Sequence, residues 1–170
     1  MTSAELVIDK SITVSGPGPD VLAVSRTSNT QFRIFHVTAS RTVNIEGLTI
    51  SSGDAYIGGG ILNDEARLTL TNCSVVNNVA SGGGGVYNND GGSLTIVNST
   101  ISGNYAAGGD NPYGGGVAGE PLTIINSTIS GNSAVGDFPF TFGNGGGISG
   151  VGTITNSTIN GNYAGEARAA

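Results

Sequence analysis

Three acids, Asp64, Asp90 and Glu120, each follow a run of glycines by a few residues and fall nearly in phase along the chain. Carboxylates gathered in this way can hold Ca²⁺, and two or three close aspartates can hydrolyse a glycosidic bond. A polysaccharide lyase would also need an Arg or Lys as base, and Arg67 is the only near neighbour. No cation accompanies all three acids, so the competing reading is solvated turn residues. The single histidine, His36, lies between Phe35 and Val37 with no second histidine and reads as structural. Cys73 occupies the place of Ser99, Ser127 and Ser157, which suits a small, partly buried residue better than a reactive thiol. The sequence assigns no catalytic residue, no metal site and no cofactor.

Aromatic side chains offer a second chemistry. Two insertions, Ala107–Tyr113 and Val135–Asn144, interrupt an otherwise economical chain, and the second carries Phe138, Phe140 and Phe142. Exposed rings stack on sugars or anchor protein contacts, so Tyr113, Phe138, Phe140 and Phe142 are candidate ligand contacts, with Asp110 and Asp137 as polar partners. The alternative is that the rings fold back over an open corner.

The elements that position these residues come from an eleven-residue phrase, clearest at Leu94–Asn104 and repeated at Val43–Gly53, Leu68–Asn78, Leu122–Asn132 and Gly152–Asn162. Its fifth residue is Gly47, Asn72, Asn98, Asn126 and Asn156, which gives spacings of 25, 26, 28 and 30 residues. Such a period is that of a solenoid. Leu94 and Ile96 alternate with Thr95 and Val97, as in a strand with one buried face. After the Asn the parity slips, so Ile50, Val75, Ile101, Ile129 and Ile159 point inward beyond a bend. Asn tolerates left-handed backbone, and Asn72, Asn98, Asn126 and Asn156 are expected to stack as a ladder of amides. A second Asn column, expected to belong to the structural ladder as well, follows at Asn78, Asn104, Asn132 and Asn162, then an Ala column. Glycine runs then lead into a third strand, as at Gly83-Gly84-Gly85-Val86; none continues into a phosphate loop, and they suit tight corners and close packing.

The predicted fold is therefore all-β, a right-handed parallel β-helix of about six coils with three short strands per coil. It forms one domain over 1–170, with a degenerate first coil at 1–42, regular coils at 43–164 and a tail at 165–170. The open strand edges predict a segment of a longer array and make end-to-end self-association an expectation.

Composition narrows the function. Thirty glycines and 11% charged residues accompany a formal charge of −6 with six Lys plus Arg, so nucleic acid is not expected as a partner. No apolar run is long enough for a direct membrane span. Four sequons, Asn72-Cys73-Ser74, Asn98-Ser99-Thr100, Asn126-Ser127-Thr128 and Asn156-Ser157-Thr158, fall on the repeat's bend, where the amide is expected to be needed for the stack, so that four glycans side by side would clash with the fold. Outward Thr69, Thr95, Thr123 and Thr153 should stack on a flat face, which resembles the Thr arrays of ice-binding solenoids.

The phrases Gly-Gly-Gly-Val-Tyr-Asn at 83–88 and Asn-Ser-Thr-Ile-Ser-Gly-Asn at 98–104 resemble the right-handed parallel β-helix repeat proteins of bacterial surfaces and secretions. The chain is similar to polymorphic outer-membrane protein repeats and autotransporter passenger domains, without their Phe-x-x-Asn element. The resemblance implies a non-enzymatic structural or adhesive module, secreted or at the cell surface, with a glycan or surface protein as partner. The same fold also carries pectate lyases and polygalacturonases, so a carbohydrate-active enzyme is the rival expectation, and ice binding through the Thr face a minor one.

Overall fold

The computed structural model describes residues 1–2, 4–108, 111–137 and 141–166. All are in strands, bridges, turns, bends or extended chain, and no described helix is long and apolar enough to cross a membrane. The chain winds as a parallel β-solenoid of about six turns. Its first sheet stacks Leu6–Ile8, Phe35–Val37, Ile61–Asn63, Val86–Asn88, Val117–Gly119 and Ile148–Ser149. The second stacks Thr13–Ser15, Thr42–Glu46, Arg67–Thr71, Ser93–Val97, Leu122–Ile125 and Gly152–Thr155. The third holds Ala23–Ser25, Thr49–Ser51, Ser74–Val76, Thr100–Ser102, Thr128–Ser130 and Thr158–Asn160.

The expected three strands per coil become four where the repeat is regular. Val79–Ala80, Tyr105–Ala107, Ser133–Gly136 and Tyr163–Glu166 form a fourth parallel sheet. The Ala column is its inward row: Ala80, Ala106 and Ala134 are buried. A methyl is all that fits, because this sheet lies against the glycine corner rather than across a wide core.

Register keeps each side-chain type above its own kind. Leu94 pairs with Leu68 and Leu122, and Ile96 with Leu70 and Ile124. Beyond the bend, Ile101 pairs with Val75 and Ile129. These side chains are fully or nearly fully buried, and each contributes roughly 1.5–3 kcal/mol by leaving water. The parity slip is made by left-handed residues, with φ of 64° at Gly47, 51° at Asn72, 49° at Asn98, 50° at Asn126 and 49° at Asn156. Their backbones stack: the Asn98 N–H donates to the Ile125 carbonyl at 3.1 Å and that of Asn72 to Val97 at 3.0 Å.

Of the two Asn columns expected to form the ladder, only the second stacks through its side-chain amides. Asn72, Asn98, Asn126 and Asn156 are exposed. The second column is the buried one, with Nδ2 of Asn78, Asn104 and Asn132 donating to Oδ1 of Asn104, Asn132 and Asn162 at 3.0, 2.9 and 2.9 Å. Left-handed backbone at the first column turns the amide to solvent, whereas the second column sits where the chain swings back over the core. A third ladder runs between them, as the backbone N–H groups of Cys73, Ser99 and Ser127 donate to Oγ of Ser99, Ser127 and Ser157. A short fourth one joins buried Asn63 to Asn88, whose Nδ2 donates to the Glu120 carbonyl.

Candidate functional site

The three in-phase acids do not assemble a centre. Asp64 accepts a hydrogen bond from Nδ2 of Asn89 at 2.9 Å and lies 3.7 Å from Nε2 of His36. His36 in turn meets Glu5 Oε1 at 3.2 Å, and Glu5 is held by Arg33 at 2.8 Å. The histidine thus links three successive coils through carboxylates on both sides. Among the described residues, no three of His, Cys, Asp and Glu are placed to hold a metal ion.

Cys73 is buried and continues the serine ladder. Its Sγ–H faces the carbonyls of Ile45 and Thr71 at 3.3 and 3.4 Å, while Ser99 and Ser127 donate Oγ–H to the carbonyl two residues back. Burial pushes its thiol above the ordinary range, which disfavours the reactive thiolate.

The aromatic residues form the surface feature that the repeat leaves over. The two insertions are adjacent: Tyr113 bridges Gly82 on one side and Asn144 on the other, and the Asn144 N–H donates to the Pro112 carbonyl at 2.8 Å. The ring of Tyr113 lies over Gly82, where an added Cβ would sit 2.8 Å from its Cζ. It meets Tyr87 edge to face at 6.1 Å, with the two hydroxyls 3.3 Å apart. Burial first, then the hydrogen bond to Tyr87, pushes its hydroxyl well above the ordinary tyrosine range. Tyr56 stands beside this pair at 77% exposure, and a small cleft between them is lined by Tyr56, Ser81, Gly82, Asn111 and Tyr113.

Of the other loop candidates, Phe142 is exposed, and Asp137 is exposed, its N–H bonded to Oγ1 of Thr141 at 2.6 Å. Phe138, Phe140 and Asp110 lie outside the described residues. Sequence reading missed Tyr56, Tyr87, Tyr105 and Tyr163. A signal for the last two was present, since Gly-Asn-Tyr-Ala occurs at 103–106 and again at 161–164.

The sequons call for a correction of reason. Their Asn amides are exposed and not consumed by the ladder, so what opposes four glycans is their spacing of about 4.8 Å, one coil apart. Outward threonines do align, Thr69 with Thr95, Thr95 with Thr123 and Thr123 with Thr153. Set against family models, curated proteins and solved structures, the chain matches none.

Proposed function

We propose that this chain is a non-enzymatic adhesive module of a bacterial cell-surface or secreted protein, with a β-solenoid rod that displays a tyrosine-bearing edge. One observation carries the reading. All five tyrosines of the chain decorate the outside of the fourth sheet, the glycine corner and the adjoining first sheet, while the inward columns are mainly aliphatic, with Phe35 in the core of the early coils, and otherwise the amide and hydroxyl ladders. Aromatic hydroxyl residues combine apolar area with a polar tip, and exposed on a rigid scaffold they suit reversible contact with glycans or protein surfaces. The resemblance to polymorphic outer-membrane protein repeats and autotransporter passengers agrees with such a role.

The test is a combined glycan and surface-protein array probed with the native chain and with Tyr56→Ser plus Tyr113→Ser. Binding that falls at least tenfold in the double variant, with the circular dichroism of the fold retained, supports the reading. An array on which the native chain binds nothing overturns it. Incubation with pectin and alginate, with and without Ca²⁺, addresses the rival: polysaccharide cleavage would replace adhesion with carbohydrate chemistry.

A further inference from the structure

We infer that the outer row of the fourth sheet is a track for an extended, neutral, β-1,4-linked polysaccharide, with Tyr105 and Tyr163 as two stacking platforms; this rests on the adhesive reading and names its ligand. The parallel register places Val79, Tyr105, Ser133 and Tyr163 in one row. The two tyrosines are therefore two coils apart, about 10 Å at 4.8 Å per coil, with only the small Ser133 between them.

Both rings are available, Tyr105 at 38% and Tyr163 at 50% exposure. Tyr163 is laid down along its strand by Gly165, where an added Cβ would come within 2.4 Å of Oη and 2.8 Å of Cζ. Its hydroxyl donates to the Glu166 carbonyl at 3.4 Å. A ring held in this way offers an open face. An extended β-1,4-linked pyranose chain turns over at each linkage and presents the same C–H face on every second sugar. Two platforms set two coils apart meet alternate sugars, and Ser133 leaves room for the inverted one.

Beside this row runs a groove of about 320 Å³ lined by Gln31, Asp54, Tyr56, Val79, Ser81 and Ala107. Its carboxylate, amide and hydroxyl groups are suited to sugar hydroxyls. Asp54 is held there by Gln31 at 3.2 Å and Arg26 at 3.6 Å. The charge selects against uronic acids: the chain carries −6, and Asp137 directly follows the Ser133–Gly136 strand of this sheet.

The experiment is isothermal titration of the full chain with hexamers of β-1,4-linked glucose, mannose and xylose, with the glucose dimer, and with oligogalacturonate. Variants are Tyr105→Thr, Tyr163→Thr and the relocated pair Ser133→Tyr with Tyr163→Ser; threonine keeps the strand. At least one neutral hexamer is expected to bind, at least tenfold more tightly than the dimer or the oligogalacturonate. Each single variant should lose at least tenfold, and the relocated pair, with its rings one coil apart, should not recover it. Absence of binding by all three neutral hexamers, equal affinity for dimer and hexamer, or unchanged affinity in both threonine variants overturns the inference. Should array binding survive the Tyr105 and Tyr163 changes but disappear with Tyr56 and Tyr113, adhesion stands and this track does not.

Discussion

Asn104 and Asn132 are joined twice: Oδ1 of Asn132 accepts both the side-chain amide of Asn104 at 2.9 Å and its backbone N–H at 3.0 Å. The remaining Nδ2 hydrogen of Asn104 goes to the Val75 carbonyl at 2.9 Å, and its own Oδ1 accepts the same two donors from Asn78 at 3.0 Å each. Every polar atom of a nearly fully buried side chain is thereby satisfied, with partners in the coils on both sides.

Replacement of Asn104 by Ala should therefore be expensive. Two donors of Asn78 lose their acceptor, and at about 1–3 kcal/mol for each buried orphan the loss should reach roughly 2–6 kcal/mol. Asn98→Gly, at an exposed left-handed position, should stay within about 0.5 kcal/mol. Chemical denaturation of both variants decides between the columns; equal losses would mean that the buried ladder is not the stabilising one.

Cys73 gives a prediction about pH. Its thiol is raised in the folded chain, chiefly by burial, so the neutral form is favoured there and the folded state resists ionisation. The contribution is complete below the ordinary thiol value of about 8.5 and is lost as pH climbs through the raised folded value. Melting temperature should therefore fall as pH rises beyond about 8.5, and Cys73→Ser should remove part of that fall while preserving the ladder. Iodoacetamide should label Cys73 in denaturant and leave the native thiol largely untouched at pH 8; rapid native labelling would contradict the burial.

Much of this fold was legible because register repeats. Leu94, Ile96 and Ile101 announce an inward column each, since an aliphatic side chain recurs at the same place in successive coils. The ladder was harder. Both Asn columns have a glycine in the first copy, Gly47 and Gly53, so substitution does not separate a residue needed for its φ from one needed for its amide. In the structure Gly47 is left-handed at 64°, whereas the Gly53 N–H simply donates to Oδ1 of Asn78. The fourth strand was hidden because its inward row is only Ala80, Ala106 and Ala134, with too few residues to show alternation. Tyr56, Tyr87 and Tyr113 come from different phases of different coils, and only winding brings them together.

Ice binding is expected to be absent. The second sheet's row Thr69, Thr95, Thr123 and Thr153 is regular, but its companion row carries Val97 and Ile125 between Thr71 and Thr155. On the third sheet, Thr49, Ser74, Thr100, Thr128 and Thr158 align, yet Val76 interrupts the row of Ser51, Ser102 and Ser130. Nanolitre osmometry should show no thermal hysteresis, and faceted ice growth in its presence would reverse this expectation.

Two glycines separate the steric from the conformational demand of the coil. At Gly115 an added Cβ would lie 2.3 Å from the carbonyl oxygens of both Gly146 and Ser133, backbone atoms of the neighbouring coil and of the facing corner. Neither can yield without breaking the stack, so Gly115→Ala should cost about 3 kcal/mol, the upper end of overpacking. At Gly131 the space is open, with nothing within 4 Å, but φ is +62°. Gly131→Ala should then cost only the left-handed penalty of about 1–2 kcal/mol, and Gly131→Asn less, as Asn visits that region more readily. Thermal melts of the three variants should rank Gly115→Ala lowest, Gly131→Ala next and Gly131→Asn closest to the native chain. A Gly115→Ala variant as stable as Gly131→Asn would show that the glycine corner is not packed backbone against backbone.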